Sequence, residues 1–257
     1  MPPDNRSASD PLPMLLRSFF LTTMARIYPE AVQQAEAGQW SYRDFLLHLC
    51  QSEAQERAGR LTQRLLKASA LPAGKTLETL NEATLPDKTR RQLPALLEGD
   101  FVHRAVNVLA FGLPGRGKTH YVAALGRELI LRHDIPVLFI PTYKLVSQLL
   151  IAKGLNRLAP FIKKLERFKV IILDDIGYVQ QSREEMEVLF TFLAERYERW
   201  SVIITSNLVF SQWDKIFKDP MTTMAAVDRL VHHSVILEFD GPSRRCPAEA
   251  KKENNKD

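Results

Sequence analysis

An apolar run, Asn107–Phe111, passes directly into Gly112-Leu113-Pro114-Gly115-Arg116-Gly117-Lys118-Thr119, and a helical pattern follows through His120, Tyr121, Val122, Ala123, Ala124 and Leu125. No other stretch of the chain restricts the fold as tightly. The spacing satisfies G-x-x-x-x-G-K-[ST], which has its meaning where a loop joins the end of a strand to the start of a helix. Gly115 and Gly117 let the backbone curl so that successive N–H groups point inward, and the helix adds its positive end. Gly112 to His120 therefore form a candidate phosphate cradle. Lys118 neutralises β- and γ-phosphate oxygens there, and the Thr119 hydroxyl completes a Mg²⁺ shell.

A strand–loop–helix unit of this kind needs neighbours. Five short runs rich in β-branched or aliphatic residues supply them: Asn107–Phe111, Val137–Ile140, Val170–Leu173, Ser201–Thr205 and Ser234–Phe239. Each of the first four precedes a helical stretch, an alternation that implies an α/β fold with a five-stranded parallel sheet covered on both faces. The chain has 257 residues, 45% of them hydrophobic, enough for one medium domain and a small appendage. The break at Leu71-Pro72-Ala73-Gly74 divides it into a helical segment, 1–70, and a P-loop core, 71–245. Residues 246–257 are polar and charged, and are expected to be disordered. No internal repeat is visible.

In the amino-terminal segment Leu16, Phe20, Met24 and Ile27 fall on one helical face. Gly38 breaks the pattern, and Ser41 with Asp44 reads as a capping box opening a long helix. Its apolar stripe is Leu46, Cys50, Ala54, Ala58, Leu61 and Leu65. A second stripe holds Arg57, Arg60, Arg64 and Lys67, which serve either as a solvated face or as contacts to DNA phosphates. The formal charge of +5 leans toward a polyanionic partner.

Cys50 and Cys246, the two cysteines, form no CxxC motif, so a reducing, cytoplasmic setting is expected. The start Met1-Pro2-Pro3-Asp4-Asn5 lacks the basic opening of a secretion signal, and the apolar run Met14–Leu21 is too short to span a bilayer. No membrane partner is expected.

Two further strands end in polar residues. Val170–Leu173 runs into Asp174 and Asp175, delivering two carboxylates where open α/β sheets bind ligands. Asp174 is the candidate Mg²⁺ ligand and Asp175 the candidate general base toward an attacking water. A strand-ending turn is the plainer reading of the pair. Val202–Ser206 is followed by Asn207, whose amide suits a position between the phosphate loop and the acidic pair. Asp228-Arg229 precedes the last strand, and Arg229 reads either as an arginine finger toward a neighbour's nucleotide or as a surface salt bridge. His232 and His233 diverge and read as packing or surface residues. Tyr143 to Phe168 has room for more than one helix. It carries Lys153, Arg157, Lys163, Lys164 and Arg167, a basic insert that either reaches DNA or is a solvated face.

The order Gly112–His120, Ile171–Tyr178, Ile203–Trp213, Ala225–Ser234 and Gly241–Arg245 resembles the IstB-like insertion-sequence ATP-binding proteins, relatives of the DnaC helicase loader and the DnaA initiator in the AAA+ class. The resemblance covers the chain from the amino-terminal helices to Arg245. It implies an ATPase that uses ATP and Mg²⁺, assembles as a ring or helix on duplex DNA, and recruits a cognate transposase. It also implies that Arg229 is the arginine finger, that Arg245 senses nucleotide, and that the insert after the second strand faces DNA. Two departures stand out. Many relatives have Asp-Glu at Asp174-Asp175, which leaves the hydrolysis rate open. Arg244 stands where an aromatic is usual, so Arg244 competes with Arg245 as the sensor. The rival readings are a DnaC-like helicase loader, a small-molecule phosphotransferase, and a nucleotide-gated scaffold that barely hydrolyses.

Overall fold

The computed structural model describes residues 10–177, 182–208, 230 and 233–240. The chain divides into two compact units, Met1–Arg64 and Leu65–Asp257. The division falls within a helix, ahead of the Leu71–Gly74 break.

The first unit contains α1 (Leu12–Ser18), α2 (Thr22–Ala37) and the start of α3 (Tyr42–Ser69). Met24, Ala31 and Leu49 form its buried centre, with Leu16, Ile27 and Phe45 packed around them. Gly38 ends α2 as expected. Ser41 accepts from the Asp44 amide at 3.2 Å and donates to the Asp44 carboxylate at 2.6 Å.

Two expectations are corrected. Phe20 leaves the shared apolar face because the chain turns between α1 and α2; its φ is +60° and it is 79% exposed. The inward stripe of α3 is not the one starting at Leu46 and Cys50. Leu46, Cys50, Ala54 and Ala58 are exposed, whereas Phe45, Leu49 and Glu53, each four residues apart, turn inward.

Glu53 explains the rotation. The residue before α2, Leu21, offers no side-chain cap, and the Glu53 carboxylate takes over that task by accepting from Thr23 N at 2.7 Å and Met24 N at 3.1 Å. Arg57 and Arg60 close on the same carboxylate at 3.3 and 3.4 Å. Two members of the basic stripe are thus engaged, while Arg64 and Lys67 remain exposed.

In the second unit β1 (Asn107–Phe111), β2 (Val137–Pro141), β3 (Val170–Asp174), β4 (Ser201–Ser206) and β5 (Ser234–Glu238) form one parallel sheet in the order β2-β3-β4-β1-β5. Among the described residues its α-helices after α3 are α4 (Asp87–Leu97), α5 (Asp100–His103), α6 (Lys118–His133), α7 (Thr142–Gly154), α8 (Leu158–Leu165) and α9 (Arg183–Arg196). Successive strand residues face opposite ways. Leu109, Ile171, Leu173 and Ile204 pack with α7 and α9 on one side. Val108, Ala110, Ile172 and Ile203 pack with α6 on the other. Both faces being dry, the central strands read as unbroken aliphatic runs. The insert between β2 and β3 forms two helices, α7 and α8.

Burial raises the Glu53 carboxyl, but the Met24 and Thr23 amides and the Arg57 charge together outweigh it and hold its pKa below the ordinary value. The stabilisation it gives is therefore complete above the ordinary carboxylate range and lost as pH falls through the folded value. Glu53→Gln should destabilise the first unit at neutral pH by about 1.5–3 kcal/mol, the range for hydrogen bonds to a charged group. Amide exchange at Thr23 and Met24 measures this, and the gap from the parent should narrow on acidification below the ordinary glutamate pKa.

Candidate nucleotide site

The sheet order sets three strand ends side by side. β4 lies between β1 and β3, so the phosphate loop after β1, the Thr205–Asn207 end of β4 and the acidic end of β3 adjoin. In the loop Gly115 and Gly117 have φ of +80° and +94°, the left-handed conformation that side chains resist, and Gly117 caps α6. Gly112 is required for another reason: a Cβ there would collide with the Phe239 backbone carbonyl. The Lys118 ammonium donates to the Gly112 carbonyl and, at 3.0 Å, to the Leu113 carbonyl.

Asp174 is the hub. One carboxylate oxygen accepts from the Thr119 hydroxyl at 2.8 Å and from the Thr205 hydroxyl at 2.8 Å. Thr205 in turn accepts from the Asp175 amide at 2.8 Å, and its carbonyl accepts from Ile176 N at 3.0 Å. These bonds hold Asp175 at φ +61°, a conformation uncommon outside glycine. Asp175 is exposed while Asp174 is half-buried. The plainer reading of the pair as a mere turn leaves this network unexplained. Thr119 and Asp174 present adjoining hard oxygens beside the phosphate loop, a donor set that suits Mg²⁺ shared with nucleotide phosphates.

A cavity of about 390 Å³ is lined by Pro114 to His120, Lys75, Asp175, Thr205 and Asn207, within the range of cofactor sites. Gly112, Leu113 and Asp174 are not among the residues that line it. Asn207 does lie between loop and acids. Its amide oxygen is buried without a hydrogen-bond partner among the described residues, and a Cβ at Gly177 would run into it. Two residues of this lining, Arg116 and His120, have partners beyond the loop. Arg116 donates to the Phe239 carbonyl at 3.2 Å. The His120 ring nitrogen meets the Thr79 hydroxyl at 3.0 Å and the Thr76 carbonyl at 3.1 Å, pinning the segment that carries Lys75 against α6.

Sequence reasoning missed Thr205 and Lys75. Thr205 had a legible signal, a hydroxyl near the end of an aliphatic strand, two residues before Asn207. Lys75 had none, because the pinned strap is irregular.

Arg229, Arg244, Arg245 and His232 lie outside the described residues. His233 sits 4.0 Å from Glu198 at the surface, as expected of a surface residue. Lys153 pairs with Glu187 at 3.0 Å. Arg157, Lys163 and Lys164 are exposed, and Arg167 stacks on Phe168.

The family model of IstB-like ATP-binding proteins matches residues 15–252. The chain belongs to that family. An insertion sequence ATP-binding protein of Sinorhizobium fredii is 40% identical over 244 residues, 94% of this chain and 82% of that protein. The ATP-binding protein of insertion sequence IS21 from Pseudomonas aeruginosa is 38% identical over 221 residues, 86% and 83% of the two chains. The DnaC helicase loader superposes with a TM-score of 0.51 at 18% identity, covering 69% of this chain and 99% of its own, a likeness of fold. The core thus has the fold of the DnaC helicase loader, and the family to which the chain belongs is one of ATP-binding proteins. Among the described residues no helix is long and apolar enough to cross a membrane.

Because the Phe239 backbone blocks any Cβ at residue 112, Gly112→Ala should cost about 1–3 kcal/mol of stability, the usual penalty of overpacking. ATP binding should weaken at least about tenfold, or 1.4 kcal/mol. At Gly59 an added Cβ meets open space, so Gly59→Ala should leave ATP binding unchanged. Isothermal titration with a non-hydrolysable ATP analogue and thermal melting check both.

Proposed function

We propose that the protein is a transposition helper ATPase that assembles with ATP on duplex DNA, recruits a transposase there and is released by hydrolysis. The observation that carries this reading is the Asp174 hub between phosphate loop and acidic strand, in a chain of the IstB-like family.

In this reading Lys118 leaves its loop carbonyls for the β- and γ-phosphate oxygens. Thr119 and Asp174 would hold Mg²⁺, which would supply neutralisation of phosphate charge. Asp175 accepts a proton from a water whose oxygen attacks the γ-phosphorus as the bond to the β-phosphate oxygen breaks, giving ADP and phosphate. Asn207 orients that water. Arg229 reaches the nucleotide of a neighbouring subunit and Arg245 senses it from within its own. A contact of one face against a different face generates rings or open helices. The net charge of +5 supports duplex DNA as the scaffold for assembly, with Arg64, Lys67 and Lys163 as phosphate contacts. The cytoplasm is the proposed setting.

The deciding measurement is particle mass on a random-sequence duplex, with and without ATP. Large ATP-dependent assemblies, lost in Lys118→Ala, are expected. A monomer indifferent to duplex would move the reading to a helicase loader. Thr205 is a positioning residue, acting through Asp174 and Asp175. Thr205→Val should lower ATP turnover by at least about tenfold, since a placed general base gives about 10²–10⁴, while nucleotide affinity stays within about threefold. Thr205→Ser should restore turnover, as a merely steric role would not.

A further inference from the structure

The two edges of the sheet are treated differently. At the β5 edge, α4 caps the outward carbonyls: Thr89 Oγ1 donates to Glu238 O at 2.8 Å and Gln92 Nε2 to Ile236 O at 3.5 Å. These acceptors are two residues apart, as on one edge of a strand. Such covering is the usual protection of an edge against unwanted pairing.

The β2 edge has no such cover among the described residues. A groove of about 980 Å³ runs beside it, and consecutive residues Leu138 to Pro141 line that groove. Successive strand residues face opposite sides, so a groove that touches all four follows the edge itself. The rest of its lining comes from Ala68 and Ala70 at the end of α3 and from the segment that carries α7 and α8, where Ile151 and Leu155 are 64% and 65% exposed. Lys144, Arg157, Lys164 and Arg167 also line it, and no Asp or Glu does. None of these four cations makes an ion pair among the described residues.

We propose that this groove docks an extended, acidic, apolar-studded segment of a partner protein, which adds as a strand to β2. Strand addition gives the segment backbone partners, and alternate side chains supply specificity. Apolar side chains fill the groove against Ile151 and Leu155, and carboxylates meet the four cations. Duplex DNA is the poorer occupant: its phosphates answer the cations but leave the concave apolar floor unfilled. The proposal is independent of the transposition reading.

A display library of random 16-residue peptides, selected on the full-length ATP-loaded protein and counter-selected on Ile151→Asp/Leu155→Asp, tests it. Both substituted residues are exposed, and thermal melting verifies that the variant is folded. Binders enriched in Asp or Glu and in Leu, Ile or Phe are expected. Fluorescence anisotropy with the best peptide should register at least about a tenfold loss with Lys164→Glu, and its binding should slow amide exchange at Phe139, whose N–H faces away from β3. The Pro136 carbonyl accepts from Val170 N, so Leu138 and Ile140 face β3 and Phe139 faces the edge. Four outcomes overturn the proposal. They are binders rich in Lys or Arg; no pool that distinguishes parent from variant; peptide binding without slowed exchange in β2; and a loss confined to labelled duplex DNA or to self-assembly in the same variants.

Discussion

The Asp174 carboxylate, shared by the hydroxyls of Thr119 and Thr205, is the interaction on which the site depends. It ties the first turn of α6 to the ends of β3 and β4. Thr205 passes the constraint on by fixing the Asp175 amide, so one residue sets both acids together. A hydroxyl can do this because it donates in one direction and accepts in another, which neither a carboxamide nor an ammonium does with a single atom.

That arrangement requires the strand order. Were β4 at an edge, Thr205 could not stand between the loop and the acids. The order in turn requires a sheet dry on both faces, with β1, β3 and β4 flanked by helices on each side. The aliphatic runs are therefore more than hydrophobic filler. They fix which strands are central, and the central strands present the polar termini that meet at the site.

This explains what could be read from the sequence. The central strands β1, β3 and β4 were legible because a strand buried on both faces writes itself as a continuous aliphatic run, and the cradle because Gly115 and Gly117 are demanded by backbone conformation. The first unit was harder. A periodicity search for apolar residues selects Leu46, Cys50 and Ala54, because the true inward row, Phe45–Leu49–Glu53, ends in a charge. Glu53 is buried for a reason invisible locally: two amides of α2, thirty residues earlier in the chain, lack a cap. Phe20 fails as a core residue for the complementary reason, since a tight turn interrupts the helical phase. Lys75 is legible by neither route, as its place depends on a histidine in the loop helix holding an irregular strap.

The sheet edges extend the same logic beyond the nucleotide. β5 must be closed, because its last residues abut the phosphate loop: Phe239 stops a Cβ at Gly112 and receives the Arg116 guanidinium. A strand added there would compete with α4 for the carbonyls of Ile236 and Glu238 and disturb the loop. β2 lies at the far end of the sheet, separated from β1 by β3 and β4. Yet Pro141 at its end is in register with Asp174, and Thr142, the next residue, donates to the Asp174 carbonyl at 3.1 Å. The open edge is thus remote from the phosphates but only one strand away from the acid that organises them, so a segment bound along β2 has a short covalent and hydrogen-bonded path to the site without occupying it.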